Sequence, residues 1–219
     1  MFVNMNSFMK MVGQMGVPAL LGLALATGVF HNCSSPAFTQ EERGIIMNQD
    51  SLMHVMVMPT DSTVLRRPSR DLEQNELHSP ELRTLIDKML YTVQHPSQDG
   101  VGIAAPQVGI NRRIVCVQRF DKPGEPFEYY LNVRIDSLGG ERLSGPEGCL
   151  SVPGLRGLVT RNSLVHISYA DKDSGHRISE TVQGYSAVIF QHECDHLDGI
   201  LYTDKADTVF VVPPSEPVE

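Results

Sequence analysis

The stretch Gln191–Gly199 reads QHECDHLDG and predicts the C-terminal part of a helix. The segment from Tyr185 to Leu197 contains neither proline nor glycine, and Gly199 stands where the end of a helix favours glycine. Residues 187–190 are all apolar, which indicates that the helix is buried. We therefore expect the rest of the fold to pack around this helix.

The two histidines of this stretch are placed to bind one cation. His192 and His196 are four residues apart, so on a helix their directions differ by about 40° and they lie one turn apart. Glu193 points about 100° away from His192, which suits a carboxylate that takes a proton from metal-bound water. An amphipathic helix that carries two histidines on its polar side is the alternative, and these residues alone leave it open.

A catalytic metal site needs a third protein ligand, and the sequence indicates that it lies upstream. Only 20 residues follow the stretch; they contain no histidine, and their only glutamates, Glu216 and Glu219, stand in a proline-rich end. Upstream, residues 145–154 (GPEGCLSVPG) place Cys149 among glycines and prolines, which predicts a loop that exposes the thiol. A small buried apolar side chain is the alternative for such a cysteine.

Periodicity predicts an α+β fold: mainly antiparallel β-sheets packed around the C-terminal helix that carries the metal-binding motif, plus an N-terminal helix. A helical pattern over 71–95 has one apolar face, and Ser79-Pro80 supplies an N-cap and a proline at the first helical position. The gaps between strand-like runs are too short for helices, so antiparallel pairing is expected. The runs rich in β-branched and aromatic residues are 113–117, 129–133, 164–169 and 178–182.

Composition favours a globular protein that does not bind nucleic acid. Of 219 residues, 41% are hydrophobic and 20% are charged, and the net charge is −8. An acidic balance provides no electrostatic attraction for DNA or RNA. The four cysteines form no disulfide framework. Cys116, inside a strand pattern, and Cys194, which faces away from the histidines, are predicted to serve packing.

Both ends of the chain are expected to lie outside the folded domain. Residues 1–40 contain the 14-residue apolar run Val17–Phe30, short for a membrane span and typical of a signal-peptide core. They predict a signal-like or membrane-anchoring extension, with anchoring through residues 1–33 and lipidation at Cys33 as one form of it. An extension without that role, or a misassigned start, is the alternative. Residues 209–219 predict a proline-rich tail.

Three segments together resemble the peptide deformylase family. The Gly-x-Gly-x-Ala-Ala-x-Gln motif of that family is matched by 100–107, Glu-Gly-Cys-Leu-Ser by 147–151, and Gln-His-Glu-x-Asp-His-Leu by 191–197. All three occur in the family's order and spacing, and the resemblance covers roughly two-thirds of the chain. It implies a catalytic domain over residues 41–208.

The resemblance implies a metal-dependent hydrolase that removes the formyl group from the N-terminal formyl-methionine of peptides and nascent proteins. One divalent ion would be bound, commonly Fe2+ in this family, with Zn2+, Ni2+ or Co2+ as alternatives. The partner would be a formyl-methionyl peptide or nascent chain, with the ribosome as a further partner. The family's function is cytoplasmic, whereas the apolar N-terminal segment predicts export or anchoring, so the sequence leaves localisation open.

The resemblance also implies which residues act on the metal and the water. The implied metal ligands are Cys149, His192 and His196. Water would be the fourth ligand, and Glu193 would serve as general base and then as general acid. Arg161 matches an arginine that follows the cysteine in the family, and we expect it to pair with Asp195.

Further residues are implied to contact the substrate. Gln107 and the backbone N–H of Leu150 would bind the oxyanion of the tetrahedral intermediate. The backbone of Gly102 would pair with the extended peptide. Ile103, Val188 and His192 would stand near the wall of a pocket for the methionine side chain.

Two other functions stay open at this point. A zinc endopeptidase also uses a His-Glu-x-x-His motif, and a catalytically silent binder could recognise the same formyl peptides. Glu193 and Gln107 argue against a silent binder, because a binder has no need of a base beside the water.

Overall fold

The computed structural model describes residues 37–212 of the chain. Five α-helices, six β-strands and two short 3-10 helices follow one another in this part of the chain. The helices are α1 (Gln40–Ile46), α2 (Ser62–Leu65), α3 (Gln74–Leu77), α4 (Pro80–Gln94) and α5 (Tyr185–Leu197). The strands are β1 (Gly102–Ala104), β2 (Ile114–Gln118), β3 (Phe127–Cys149), β4 (Val152–Ala170), β5 (Arg177–Gln183) and β6 (Thr208–Val211). The 3-10 helices are Ala105–Val108 and Tyr202–Asp204.

One antiparallel sheet joins the strands of the described residues. β1, β2, β3, β4 and β5 are hydrogen-bonded neighbours in that order, and β6 pairs with β4. All of these pairings are antiparallel, and α5 packs against the sheet. The α+β prediction is therefore confirmed. β1 lies at an edge of the sheet, so one side of its backbone has no strand partner.

α5 begins and ends at the residues that the sequence predicts. Its side chains Ala187, Phe190 and Leu197 are each 0% exposed and pack into one cluster with residues of the sheet. Gly199 follows the helix with a φ of +74°, and a Cβ there would lie 2.4 Å from the Arg66 carbonyl oxygen. A residue with a side chain cannot take this position without strain, so the end of the helix depends on the glycine.

α4 confirms the predicted N-terminal helix from Pro80 onward. The Ser79 side chain accepts a hydrogen bond from the Leu82 N–H, as expected for an N-cap. The helical pattern predicted over 71–95 begins too early, because residues 71–78 form a separate segment with the short α3. The apolar face of α4 packs on the first part of the sheet.

The two long strands differ from the prediction in extent. β3 has 23 residues and β4 has 19, and both run through glycines and prolines expected to end them. Register shifts between Gly139 and Arg142 and between Glu147 and Cys149 absorb these residues as bulges. The prediction of a loop around Cys149 is therefore wrong. Cys149 is the last residue of β3, and only residues 150–151 form the turn into β4.

Packing extends beyond the predicted domain limits at both ends. Phe38 is 1% exposed, so the packed body begins before residue 41. Residues 209–211, predicted as tail, belong to β6, because the neighbouring part of β4 offers backbone groups for pairing. The extension or anchor predicted over residues 1–33 lies outside the described residues. Among residues 37–212, no helix is long and apolar enough to cross a membrane.

Candidate active site

The three predicted metal ligands come together although they lie on a strand end and a helix. Cys149 Sγ is 3.1 Å from His196 Nε2. One ligand atom from each of Cys149, His192 and His196 lies within 4.8 Å of the other two. Metal–sulfur bonds of about 2.3 Å and metal–nitrogen bonds of about 2.0 Å require tetrahedral S–N separations of about 3.5 Å. The triad therefore fits one cation with small adjustments.

The electrostatics of the triad favour bound positive charge. Burial would raise the pKa of the Cys149 thiol, but His196 and His192 together hold that pKa well below its usual range. Burial also opposes protonation of His192, yet its contacts with Cys149 and Glu147 hold its pKa well above the usual range. A thiolate that stabilises a proton on a neighbouring imidazole also attracts a divalent cation, which can take the place of that proton.

A carboxylate orients one of the histidine ligands. His192 Nδ1 lies 2.9 Å from Glu147 Oε2, which leaves His192 Nε2 for the metal. No role for Glu147 was inferred from the sequence. It stands two residues before Cys149 at the end of β3, so the same strand end brings the carboxylate and the thiol to the histidines. The sequence does not indicate this role, because it predicts a loop at this position and a loop does not fix where the Glu147 side chain lies.

Arg161 holds this carboxylate in place and confirms an expected pairing. Its guanidinium donates to both Glu147 oxygens, at 2.8 and 3.0 Å. It also donates to Asp195 Oδ2 at 2.6 Å, as the sequence predicts. Lys205 donates to the other Asp195 oxygen at 2.6 Å, so the buried arginine belongs to a larger ionic network.

Glu193 stands beside the ligands with one carboxylate oxygen free. Its Oε2 atom is buried and accepts no hydrogen bond from any described residue. Its Oε1 atom would lie 2.5 Å from a Cβ built on Gly102, so the carboxylate faces β1. Burial raises the pKa of Glu193 to about 7, while His192 and His196 act in the opposite direction. A carboxyl group that titrates near neutral pH can both take up and release a proton.

The residues predicted to stabilise an oxyanion border the ligand set. Gln107 Oε1 accepts the Ala104 N–H at 2.8 Å. This bond turns Gln107 Nε2 towards Cys149 Sγ at 3.5 Å and Ser151 Oγ at 3.3 Å. Leu150 follows Cys149 in the turn after β3 and lines the same groove as Gln107.

An open groove of about 680 Å³ leads to these residues. Gly102 and Val188, both predicted to bind substrate, line it. Ile103 does not fit its predicted place near the methionine pocket: its side chain is 0% exposed and packs in the core. Successive residues of a strand point to opposite faces, so Ile103 turns to the core where Gly102 turns to the groove.

Arg156 is a groove residue that sequence reasoning missed. Its guanidinium lies 2.9 Å from the position of a Cβ built on Gly148, and it pairs with no described residue. Tyr202 was also missed; its ring stacks on His192 with 6.1 Å between centroids. Neither residue belongs to a local pattern that would mark it in the sequence.

Comparison with known proteins assigns most of the chain to one family. The family model described as Polypeptide deformylase matches residues 53–210. A peptide deformylase of Leptospira biflexa is 36% identical over 156 residues, which cover 68% of this chain and 86% of that protein. Peptide deformylase 2 of Bordetella bronchiseptica is 42% identical over 158 residues, which cover 69% of this chain and 86% of that protein.

A solved structure shows the same similarity in three dimensions. The class I type b peptide deformylase from Acinetobacter baumannii, bound to Met-Ala-Ser, has a TM-score of 0.63 and 36% identity. The similarity covers 70% of this chain and 98% of that one. The family match includes both the strand end that carries Cys149 and the helix that carries the histidines. Because this match spans most of the chain and the relatives named above are peptide deformylases, the chain belongs to the peptide deformylase family of enzymes.

Proposed function

We propose that this enzyme is a metal-dependent hydrolase that removes the formyl group from N-terminal formyl-methionine on peptides and nascent chains. One observation carries the proposal: a sulfur and two imidazole nitrogens converge beside a buried, unpartnered glutamate oxygen in an open groove. The Acinetobacter relative bound to Met-Ala-Ser supports a peptide with an N-terminal methionine as the occupant of this groove.

One divalent ion would be held by Cys149 Sγ and by the Nε2 atoms of His192 and His196. When bound, such an ion lowers the pKa of a water molecule and polarises the formyl carbonyl. By resemblance to the family we propose Fe2+, with Zn2+, Ni2+ or Co2+ able to take its place. Thiolate and imidazole ligands suit all four ions.

Glu193 would move the protons of the reaction. Its free Oε2 accepts a proton from the attacking water, and the same carboxyl group then gives that proton to the leaving amine as formate departs. Gln107 Nε2 and the Leu150 N–H would donate hydrogen bonds to the oxyanion as it develops. Loss of one such donor typically slows catalysis by about 10²–10³.

The peptide would extend the sheet along the open edge of β1. Gln118 donates its N–H to the Val101 carbonyl at 2.8 Å, and hydrogen bonding alternates along an antiparallel pair. The backbone groups of Gly102 therefore point away from β2, where an extended peptide can pair with them. Val188 lines the same groove and would contact the methionine side chain.

A formate-release assay on the full chain, loaded anaerobically with Fe2+, tests this proposal with formyl-Met-Ala-Ser. The expected products are formate and Met-Ala-Ser, with no cleavage of an internally cleavable peptide that lacks the formyl group. Glu193→Gln keeps the size of the side chain but removes the base, so kcat should fall by at least about 10² at unchanged metal content. Anaerobic metal analysis of the protein purified from cells identifies the ion.

Two results would overturn the proposal. Cleavage of the internal peptide alone would indicate an endopeptidase, and tight binding of the formyl peptide without turnover would indicate a silent binder.

The ribosome as partner and the membrane anchor in residues 1–33 stay predictions. Fractionation of cells that express the full chain tests the anchor.

A further inference from the structure

The imidazole of the candidate ligand His192 lies against the ring of Tyr202. The two rings are nearly parallel, with 19° between their planes and 6.1 Å between their centroids. This is the offset arrangement that aromatic pairs favour. Cys149 packs against the small apolar cluster to which Tyr202 belongs. Tyr202 is therefore part of the immediate surroundings of the ligand triad.

Contacts that do not involve His192 fix the position of the tyrosine. Tyr202 begins the second 3-10 helix, and the N–H of the preceding Leu201 donates to Asp204 Oδ2 at 2.9 Å. Arg66 Nη2 donates to Asp204 Oδ1 at 3.0 Å, which ties this short helix to a distant part of the chain. Because the tyrosine is held by its own segment, its ring can support the imidazole.

A glycine of β4 leaves the space that the tyrosine ring occupies. A Cβ built on Gly157 would lie 3.0 Å from Tyr202 Cε2, which is closer than ordinary van der Waals contact. Gly157 is the cross-strand partner of Glu147, whose carboxylate lies 2.9 Å from His192 Nδ1. The pairing of β3 with β4 therefore places a carboxylate at the edge of the imidazole and leaves room for an aromatic ring beside it.

The hydroxyl group of Tyr202 has no partner that would tie it to the site. Its oxygen is buried and forms no hydrogen bond with any described residue. The tyrosine side chain is 1% exposed, and it is not one of the described residues that line the groove. A peptide bound in the groove would therefore not contact it. The flat ring is the part of Tyr202 that acts on His192.

We propose that Tyr202 is a positioning residue that keeps the His192 imidazole in the orientation in which its Nε2 atom binds the metal. Glu147 fixes the Nδ1 edge of the imidazole, and the tyrosine ring limits its tilt. A metal-bound imidazole carries partial positive charge, which the π face of a tyrosine stabilises. Tyr202 therefore favours the metal-loaded protein over the metal-free protein. The inference rests on the proposed function and adds a residue that determines metal affinity.

Two substitutions at Tyr202 separate the ring from the rest of the side chain. Tyr202→Phe keeps the ring and removes only the unpaired hydroxyl, so the affinity of the full chain for Zn2+ should equal that of wild type. Tyr202→Met fills much of the same space with a flexible chain that has no flat face. Its affinity for Zn2+ is expected to fall about three- to tenfold. Competition with a chromogenic chelator measures both variants.

The Co2+-loaded protein provides a second measurement, because its visible absorption reports the geometry of the ligands around the ion. Tyr202→Phe should show the wild-type bands, whereas in Tyr202→Met the bands should shift or broaden because His192 is held less firmly. In the formate-release assay at saturating metal, Tyr202→Met should lower kcat. Its KM for formyl-Met-Ala-Ser should stay unchanged, since Tyr202 does not line the groove.

Phe38→Leu is the matched control for a general loss of packing. Phe38 is 1% exposed, like Tyr202, but it packs in the cluster that contains the apolar face of α4. Leucine at this position should lower the free energy of unfolding without changing the Zn2+ affinity or the Co2+ spectrum. If Phe38→Leu weakened metal binding as much as Tyr202→Met, the loss would reflect stability and the assigned role of Tyr202 would be wrong.

Metal affinity and formate release distinguish the two ways of failing. If wild type binds Zn2+ but releases no formate from formyl-Met-Ala-Ser, the proposed function is wrong. Equal Zn2+ affinities in wild type and Tyr202→Met would overturn the inference alone. A loss of affinity in Tyr202→Phe would also overturn it, because the hydroxyl would then be responsible. The phenylalanine variant keeps the shape of the side chain, so it gives this answer even if Tyr202→Met is unstable.

Discussion

Glu147 controls how His192 faces the metal. Burial would raise the pKa of this carboxyl group, but hydrogen bonds from His192 and Arg161 lower its pKa to about 2. It is therefore ionised at neutral pH and holds the Nδ1–H tautomer of His192, which directs the lone pair of Nε2 to the cation. A carboxylate behind a histidine ligand also makes that ligand a better donor.

Glu147→Gln tests this role by metal affinity. Without the negative charge the imidazole is a weaker and less well oriented ligand, so the affinity for Zn2+ or Co2+ should fall by about 10–100-fold. Competition with a chromogenic chelator measures it. Glu141→Gln changes an exposed glutamate of the same strand and should leave the affinity unchanged. Equal affinities in Glu147→Gln and wild type would contradict the assigned role.

Among the elements, α5 is the one on which the site depends most. It carries two ligands and the candidate base, and its buried face fixes them relative to the sheet. Its C-terminal end relies on Gly199, whose φ is +74° and whose Cα faces the backbone of Arg66. A side chain at this position would meet both a backbone penalty and a steric clash.

A comparison of two glycines separates these two costs. Gly124 has a φ of +79° with open space around it. Gly124→Ala should therefore cost only the left-handed conformation, about 1–2 kcal/mol of unfolding free energy. Gly199→Ala should cost about 1–3 kcal/mol more, because the Arg66 backbone has to move. Urea denaturation measures both, and equal losses would show that the clash is relieved without cost.

At the scale of the whole molecule, paired carboxylates link the elements and make stability depend on pH. Arg119, which is buried, binds Asp121 next to β2 and Glu180 on β5. The hydrogen bond from Arg119 lowers the pKa of Asp121 to about 2. The hydrogen bond from Arg66 likewise lowers the pKa of Asp204. These carboxyl groups therefore bind protons less readily in the folded state than in the unfolded chain. Their ionised forms stabilise the folded state at pH values above the pKa values that the groups have in the unfolded chain.

Stability is accordingly expected to fall as the pH drops from about 4 to about 2, where these carboxylates become protonated in the folded state. Asp121→Asn removes one of these carboxylates. Between about pH 4 and about pH 2 the variant should therefore lose less unfolding free energy than wild type, by about 1 kcal/mol after solvent screening. Urea denaturation across a pH series measures the difference. Asp173→Asn, an exposed carboxylate without an ion pair, serves as control. Parallel curves for Asp121→Asn and wild type would contradict the prediction.

The sequence by itself determined the features that depend on neighbouring residues. The bounds of α5 follow from local signals: an apolar run, the absence of proline and glycine, and Gly199 after the last turn. The spacing of His192 and His196 places both on one helical face whatever surrounds the helix. The three motifs likewise indicated the family, because each is a short contiguous string.

Tertiary structure alone decided the contacts between distant parts of the chain. The length of β3 and β4, the Glu147–His192 bond and the burial of Ile103 all depend on strand pairing and on which strand face meets the core. The burial of Phe38 likewise needs a segment before the family match to pack against α4. Local propensity does not depend on residues that are distant in the sequence, so these features are defined only in the folded chain.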